Sequence, residues 1–99
     1  MVVLHLLSSG ERYGYEIVAL LEDVGRGYLT IKEGTLYPIL YRLEHKGFVV
    51  TRWDTQARGV PRKFYSITPD GITEAKQQRK KWEKFVRIVS HILNGVADK

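Results

Sequence analysis

Cysteine is absent from the 99-residue sequence. Its absence excludes disulfide scaffolds, cysteine-ligated zinc, iron–sulfur clusters and thiol catalysis, and it fits a reducing compartment. Long apolar runs are absent too, because residues 1–7 are apolar but a membrane-spanning helix needs roughly 18 such residues. That opening run also has no basic leader and no small-residue cleavage site. We therefore expect a cytoplasmic chain that does not bind membranes.

Acidic residues are scarce in the second half of the chain. Residues 55–99 hold ten basic and four acidic side chains, whereas residues 1–54 hold six and seven, and the whole chain carries a formal net charge of +5. A basic half with an embedded loop indicates a polyanion partner. A merely solubilising surface charge would account for the net charge equally well.

Three helices are predicted in the first half from apolar residues at helical spacing. They cover residues 2–8, 14–24 and 35–46. A start at residue 35 places Pro38 in the first turn, where its missing N–H has no helical partner in any case. The alternative is an earlier start near Lys32, with local distortion at the proline.

A hairpin is predicted to follow. Residues 48–53 and 63–67 are rich in β-branched and aromatic side chains, and the polar segment 54–62 separates them. Three helices followed by a hairpin with a basic tip is the order of a winged helix-turn-helix, in which the third helix enters the major groove and the hairpin contacts the DNA backbone. We therefore predict a mostly α, α+β fold, with residues 1–68 as the DNA-binding domain.

The last helix is predicted to start at the cap pair Thr68 and Pro69 and to run to about residue 93. Its apolar positions repeat every seven residues, at Ala75, Trp82 and Val89 and at Phe85 and Ile92. A chain this short has a thin core, so a helix of about 25 residues exceeds what that core can cover. We expect residues 69–99 to form a dimerisation helix, and the alternative is packing on its own domain.

The third helix supplies the first set of candidate DNA contacts. Its apolar face consists of Leu36, Ile39, Leu40 and Leu43, and the candidates on its other sides are Thr35, Tyr37, Pro38, Tyr41 and Arg42. Arg42 suits a guanine edge or a phosphate, and the hydroxyls near the helix start suit phosphates. The alternatives are a surface ion pair for Arg42 and packing against the second helix for the tyrosines.

The hairpin tip supplies the second set. Arg58, Arg62 and Lys63 lie there, and no acidic residue occurs between Thr55 and Tyr65. Such a segment is suited to neutralising phosphates, whereas a merely soluble turn would more commonly mix charges of both signs.

An enzymatic function finds no support in the sequence. The three histidines have no metal-binding spacing, no glycine-rich phosphate loop is present, and no catalytic set can be named. We expect no catalytic residues, metal or cofactor. The alternative to a DNA-binding function is a winged-helix protein-interaction module that uses its apolar last helix and does not contact DNA.

Three strings identify a resemblance. YGYEI at 13–17, GTLYPILYRLEHKG at 34–47 and RKFYSITPDG at 62–71 resemble the PadR family of bacterial transcriptional regulators. The resemblance implies a homodimeric winged-helix repressor that binds a palindromic operator and is released by a small aromatic or toxic effector. It implies DNA contacts at the third-helix and hairpin residues already chosen.

The single C-terminal helix resembles that of the short-tailed branch of the family, which includes regulators of multidrug efflux. This resemblance implies a site for a planar aromatic effector between two subunits, lined by Trp82, Phe85 and Val89. The alternative for Trp82 is simple packing in a dimer interface. The sequence departs from the family pattern in two places. Lys32 and Glu33 stand where the family usually has a small capping residue and often proline. The chain is also expected to start inside the family's longer first helix.

Overall fold

A computed structural model describes residues 2–55 and 59–97, with side chains described as far as residue 95. In chain order its elements are α1 (Val2–Leu7), β1 (Arg12–Tyr13), α2 (Gly14–Val24), α3 (Glu33–His45), β2 (Val49–Asp54), β3 (Arg62–Ile67) and α4 (Pro69–Ala97). These elements confirm the predicted winged helix-turn-helix and its long C-terminal helix.

The core lies where α1, α2, α3 and the sheet meet. The side chains with almost no exposed surface are Leu4, Leu7, Ile17, Leu36, Leu40 and Val49. They come from four different elements, and fully burying an aliphatic side chain of this kind contributes about 1.5–3 kcal/mol. The core therefore joins helix α3 to the first strand of the hairpin.

Helix α3 begins earlier than the preferred prediction. Thr35 and Leu36 donate their N–H groups to the carbonyl oxygen of Lys32, at 3.0 and 2.9 Å, so the first turn forms before residue 35. A start at residue 35 is therefore wrong, and the earlier start near Lys32 is the one observed. Pro38 lies inside the helix, and the buried apolar face of α3 outweighs the single hydrogen bond that the proline removes.

The sheet has three strands in the order β1-β3-β2, all antiparallel. The sequence predicted only the hairpin of β2 and β3, so β1 is a strand that was not predicted. It pairs Arg12 with Tyr65 and Tyr13 with Phe64. Helix α2 starts directly after it, and the N–H of Tyr13 donates to Glu16 Oε1 at 3.0 Å, which satisfies one of the unpaired groups at the helix start.

Helix α4 starts as predicted but ends later. Thr68 Oγ1 accepts the N–H of Gly71 at 3.0 Å and donates to the carbonyl oxygen of Gly47 at 2.7 Å. The helix continues through Asn94 and Gly95 to give 29 residues, or about 43 Å at 1.5 Å per residue. It packs on α1 and β3, and the described residues extend 63 × 29 × 21 Å. Most of α4 therefore projects beyond the core.

A substitution at Gly71 tests how closely α4 packs against the loop before β2. A β-carbon at this position would overlap the carbonyl oxygen of Phe48 and lie 2.7 Å from Ile67 Cγ1. We expect Gly71→Ala to lower the free energy of unfolding by about 1–3 kcal/mol, because the backbone must shift to relieve the overlap. Urea denaturation measures this change.

The matched control is Gly34→Ala, in the first turn of α3. A β-carbon there would meet no atom within 4 Å, so we expect a change within about 0.5 kcal/mol. Equal stabilities for the two variants would contradict the close contact at Gly71.

Candidate nucleic-acid interface

One side of α3 is free of the core and carries the predicted recognition residues. Thr35, Pro38, Tyr41 and Arg42 are all exposed, and Tyr41 is 68% exposed with its ring stacked on that of His45. Arg42 forms no side-chain hydrogen bond or ion pair with any residue that the structure describes. The alternative of a surface ion pair for Arg42 therefore has no partner among these residues, and its guanidinium is available for a ligand.

Tyr37 packs against the second helix, which was the alternative predicted for the tyrosines, and part of it stays exposed. Its ring lies against Gly14 at the start of α2, where a β-carbon would approach Tyr37 Cζ to 2.8 Å. The side chain is nevertheless 45% exposed. Packing against the second helix thus positions Tyr37, and part of its surface stays accessible beside α3.

The two described cations of the hairpin tip contact different neighbours. The guanidinium of Arg62 lies 4.7 Å from the centre of the Tyr13 ring. Lys63 faces α3, with Nζ 3.8 Å from Glu44 Oε1. The third predicted residue, Arg58, lies outside the described residues.

A groove of about 470 Å³ separates α3 from the hairpin. Its lining comprises Tyr13, Gly14, Tyr15, Tyr37, Trp53, Pro61, Arg62, Lys63 and Tyr65. Three predicted residues, Tyr37, Arg62 and Lys63, are therefore brought to one surface. Aromatic rings beside two cations form a wall that suits the sugars and phosphates of a nucleic-acid backbone.

Three aromatic residues of this groove were missed in the sequence. Tyr13 and Tyr15 flank Gly14 in the YGYEI string, and Trp53 is the cross-strand partner of Lys63. The density of aromatic residues in that string was the available signal. It pointed to no site, because the string reaches the hairpin only through the pairing of β1 with β3.

Tyr65 forms the floor of the groove and is only 5% exposed. Burial raises the pKa of its phenol, and the nearby Tyr37 and Glu44 raise it further. The phenol therefore stays protonated at neutral pH and adds no negative charge to a surface that would face phosphates.

A second network attaches the outer face of the hairpin to the loop before β1. Arg52 Nε donates to Glu11 Oε2 at 2.8 Å, and Ser66 Oγ donates to the same oxygen at 3.2 Å. The Arg52 guanidinium also lies 4.7 Å from the centre of the Phe64 ring. The hydrogen bond from Arg52 holds the pKa of the Glu11 carboxyl below its ordinary value of 4.5. This cation is thus engaged within the fold.

The predicted effector residues lie on the projecting part of α4. Trp82 and Phe85 are 52% and 57% exposed, with ring centres 5.9 Å apart, and Val89 is less exposed. Trp82 also borders a cavity of about 240 Å³ between α1 and α4, together with Val2, His5, Ala75 and Arg79. A single chain therefore provides only one side of any ligand site at Trp82, Phe85 and Val89.

No group of three or more metal-ligating side chains occurs in residues 2–55 and 59–97. Within the same ranges, no helix combines the length and apolar character needed to cross a membrane.

An exposed recognition helix, a wing and a long C-terminal helix define the class of winged-helix regulators. The family model described as the transcriptional regulator PadR-like family matches residues 3–77. The chain belongs to this family. The family comprises regulators of transcription and not enzymes, which agrees with the sequence.

Similar proteins are known in several bacteria. The negative transcriptional regulator PadR of Bacillus subtilis is 31% identical over 72 residues, which cover 73% of this chain and 40% of that protein. The structure of a transcriptional regulator from Clostridium thermocellum has a TM-score of 0.83 and 34% identity, covering 90% of this chain and 86% of that one.

A third similar structure is a complex. Bacillus subtilis PadR with operator DNA matches with a TM-score of 0.66 and 30% identity, covering 81% of this chain and 43% of that chain. This chain thus spans less than half of that regulator.

The Glu11 network predicts a pH dependence of stability. A carboxyl group with a depressed pKa in the folded state stabilises the fold above its unfolded pKa, and this contribution is lost as the pH falls through the folded pKa. We expect Glu11→Gln to lower the urea midpoint at about pH 7, and the difference from wild type to shrink between about pH 5 and pH 3.

The control is Glu22→Gln, an exposed position on α2. We expect its difference from wild type to stay near zero throughout the series. A Glu11→Gln deficit that persists unchanged at about pH 3 would show that the carboxylate charge is not what stabilises the fold.

Proposed function

We propose that this PadR-family chain is a homodimeric repressor that binds double-stranded operator DNA. Residues 1–68 would act as the DNA-binding unit and residues 69–99 as the dimerisation helix. The proposed DNA contacts are Thr35, Tyr37, Pro38, Tyr41 and Arg42 of α3, with Arg58, Arg62 and Lys63 of the wing. The observation that carries the proposal is the exposed guanidinium of Arg42, which has no ion-pair partner among the described residues, together with a groove that Arg62 and Lys63 line.

The two halves of this interface have different roles. A side chain from α3 reaches base edges and reads sequence, whereas a wing cation neutralises phosphates and binds any sequence. The Bacillus subtilis PadR structure contains operator DNA, which supports the same use of the fold here. The name of that relative, a negative regulator, supports repression.

Dimerisation is proposed from the apolar surface of α4. Trp82, Phe85, Val89 and Ile92 follow the alternating spacing of three and four residues that lines one side of a helix. Trp82, Phe85 and Ile92 are each more than half exposed, and a second copy of the same helix is a partner of matching shape. Pairing through these helices would set the two recognition helices about 34 Å apart, one turn of DNA.

The effector proposal uses the same surface. The Trp82 indole and its two-fold mate would hold a planar aromatic compound, with Phe85 and Val89 lining the next turns. The open cavity beside Trp82 supports this assignment. A shift of Trp82 emission on adding such a compound, with release of bound DNA, is the expected readout, and an unchanged emission would contradict it.

We expect Arg42→Ala and Arg62→Ala to weaken DNA binding in different ways. Loss of Arg42 should lower the affinity for a duplex from the chain's own upstream region about 10- to 100-fold. It should also reduce the preference for this duplex over unrelated DNA. Loss of Arg62 should weaken binding to both duplexes alike and flatten the slope of log K against log salt by about 0.9. Fluorescence anisotropy across a salt series measures both effects.

Lys80→Ala is the matched control, because Lys80 lies on the side of α4 opposite the apolar surface. It should leave the affinity and the salt slope nearly unchanged. Weak, salt-insensitive binding of the wild type to every duplex would favour the alternative, a protein-interaction module without DNA binding.

A charged residue introduced in the middle of the apolar surface of α4 tests the dimer. We expect Phe85→Glu to give a monomer by sedimentation and to lower operator affinity, because burying an unpaired carboxylate in the interface is costly. The control Lys80→Glu, on the opposite side of α4, should stay dimeric. A wild type that sediments as a monomer at micromolar concentration would overturn the dimer proposal.

A further inference from the structure

Glu44 connects the recognition helix to the wing. It lies in the last turns of α3, and its Oε2 accepts a hydrogen bond from Thr51 Oγ1 of β2 at 3.0 Å. Its Oε1 lies 3.8 Å from Lys63 Nζ of β3. One carboxylate therefore contacts both strands of the hairpin from the helix that would enter the major groove.

The register of the hairpin explains why these groups meet. Thr51 is paired with Tyr65, and Trp53 is paired with Lys63, so all four side chains lie on the face of the sheet that points toward α3. The ammonium of Lys63 lies 5.6 Å from the Tyr65 ring and 6.0 Å from the Trp53 ring. Two aromatic rings and one carboxylate thus hold this cation on the helix side of the wing.

The same cation lines the groove between α3 and the wing, where a DNA phosphate would be bound. A phosphate in this groove would attract the ammonium that Glu44 already attracts. The Lys63 and Glu44 side chains are 33% and 34% exposed, so solvent screens their pair and its strength is modest. Neither partner therefore holds Lys63 so strongly that the other is excluded.

We propose that Glu44 and a DNA phosphate compete for Lys63, so that Glu44 limits the contribution of the wing to DNA affinity. Glu44 is thus a positioning residue that acts through Lys63. Arg62 does not take part in this competition, because its guanidinium lies against the Tyr13 ring, whereas the Glu44 carboxylate is paired with Lys63. The inference rests on the proposed DNA-binding function.

The test is a double-mutant cycle of wild type, Glu44→Gln, Lys63→Ala and the double variant, with the upstream duplex in a salt series. Glutamine keeps an oxygen that accepts the Thr51 hydroxyl, so the helix and the hairpin stay connected while the charge is lost. We expect Glu44→Gln to bind about three-fold more tightly. The slope of log K against log salt should steepen by up to about 0.9, the value for one added phosphate contact.

The coupling is the decisive readout. We expect Lys63→Ala to lower the DNA affinity about two-fold in the wild type and about six-fold in the Glu44→Gln background. Only in the latter background is the ammonium wholly available to a phosphate. The control is Glu33→Gln, which removes a carboxylate from the other end of α3. In that background Lys63→Ala should again cost only about two-fold.

The outcomes separate this inference from the proposed function. Wild type that binds with a steep salt slope, together with equal costs of Lys63→Ala in all backgrounds, would keep the function and overturn the competition. Weaker binding by folded Glu44→Gln would also overturn it, since the carboxylate would then serve only to hold the wing. Absence of salt-dependent binding by the wild type would overturn both.

Discussion

The pairing of β3 with strands on both of its sides determines how the wing stands against the recognition helix. β3 pairs with β2 along the hairpin and with β1 at the start of α2. Because Tyr65 of β3 is buried against the same core as Leu36 and Leu40 of α3, helix and wing are fixed to one hydrophobic centre. The groove between them is a consequence of this arrangement.

The cations of α3 and of the hairpin differ in how firmly the fold holds them. Arg52 is bound by a hydrogen-bonded carboxylate, Lys63 by a more distant one, and Arg62 by an aromatic ring. Arg42 has no such contact with the described residues. Net charge alone treats these four groups as equal, although a cation that must leave an internal partner contributes less to DNA binding than one that is already accessible.

The exposed part of α4 reflects the size of the domain. Ala75 packs against the core, while Trp82, Phe85 and Ile92 further along the helix are exposed. A domain of this size has too little surface to cover a 29-residue helix. An apolar side left uncovered in this way is the usual mark of a protein interface. In the proposed dimer it is also a wall of the proposed effector site.

Local patterns in the sequence determined the type and order of the main elements. The apolar spacing of Ile17 and Leu21, the cap at Thr68 and the hydrophobic repeat through Trp82 each depend on neighbours a few residues away. The exposed side of α3, with Tyr41 and Arg42, follows from the same spacing. The resemblance to the PadR family rests on strings of this local kind and was correct.

Tertiary structure decided what depends on distant residues. The predicted start of α3 at residue 35 was wrong. It followed a local rule that places proline in the first turn of a helix, but burial of Leu36 and Leu40 outweighs the one hydrogen bond that the proline removes. β1 has only two residues and no pattern of its own, and it exists because Phe64 and Tyr65, some fifty positions later, offer a free edge. The pairs of Glu11 with Arg52 and of Glu44 with Lys63 likewise join residues far apart in the chain. The sequence determined which groups the protein carries, and only the packed core decided which cations are engaged, because ion pairs form by distance in space.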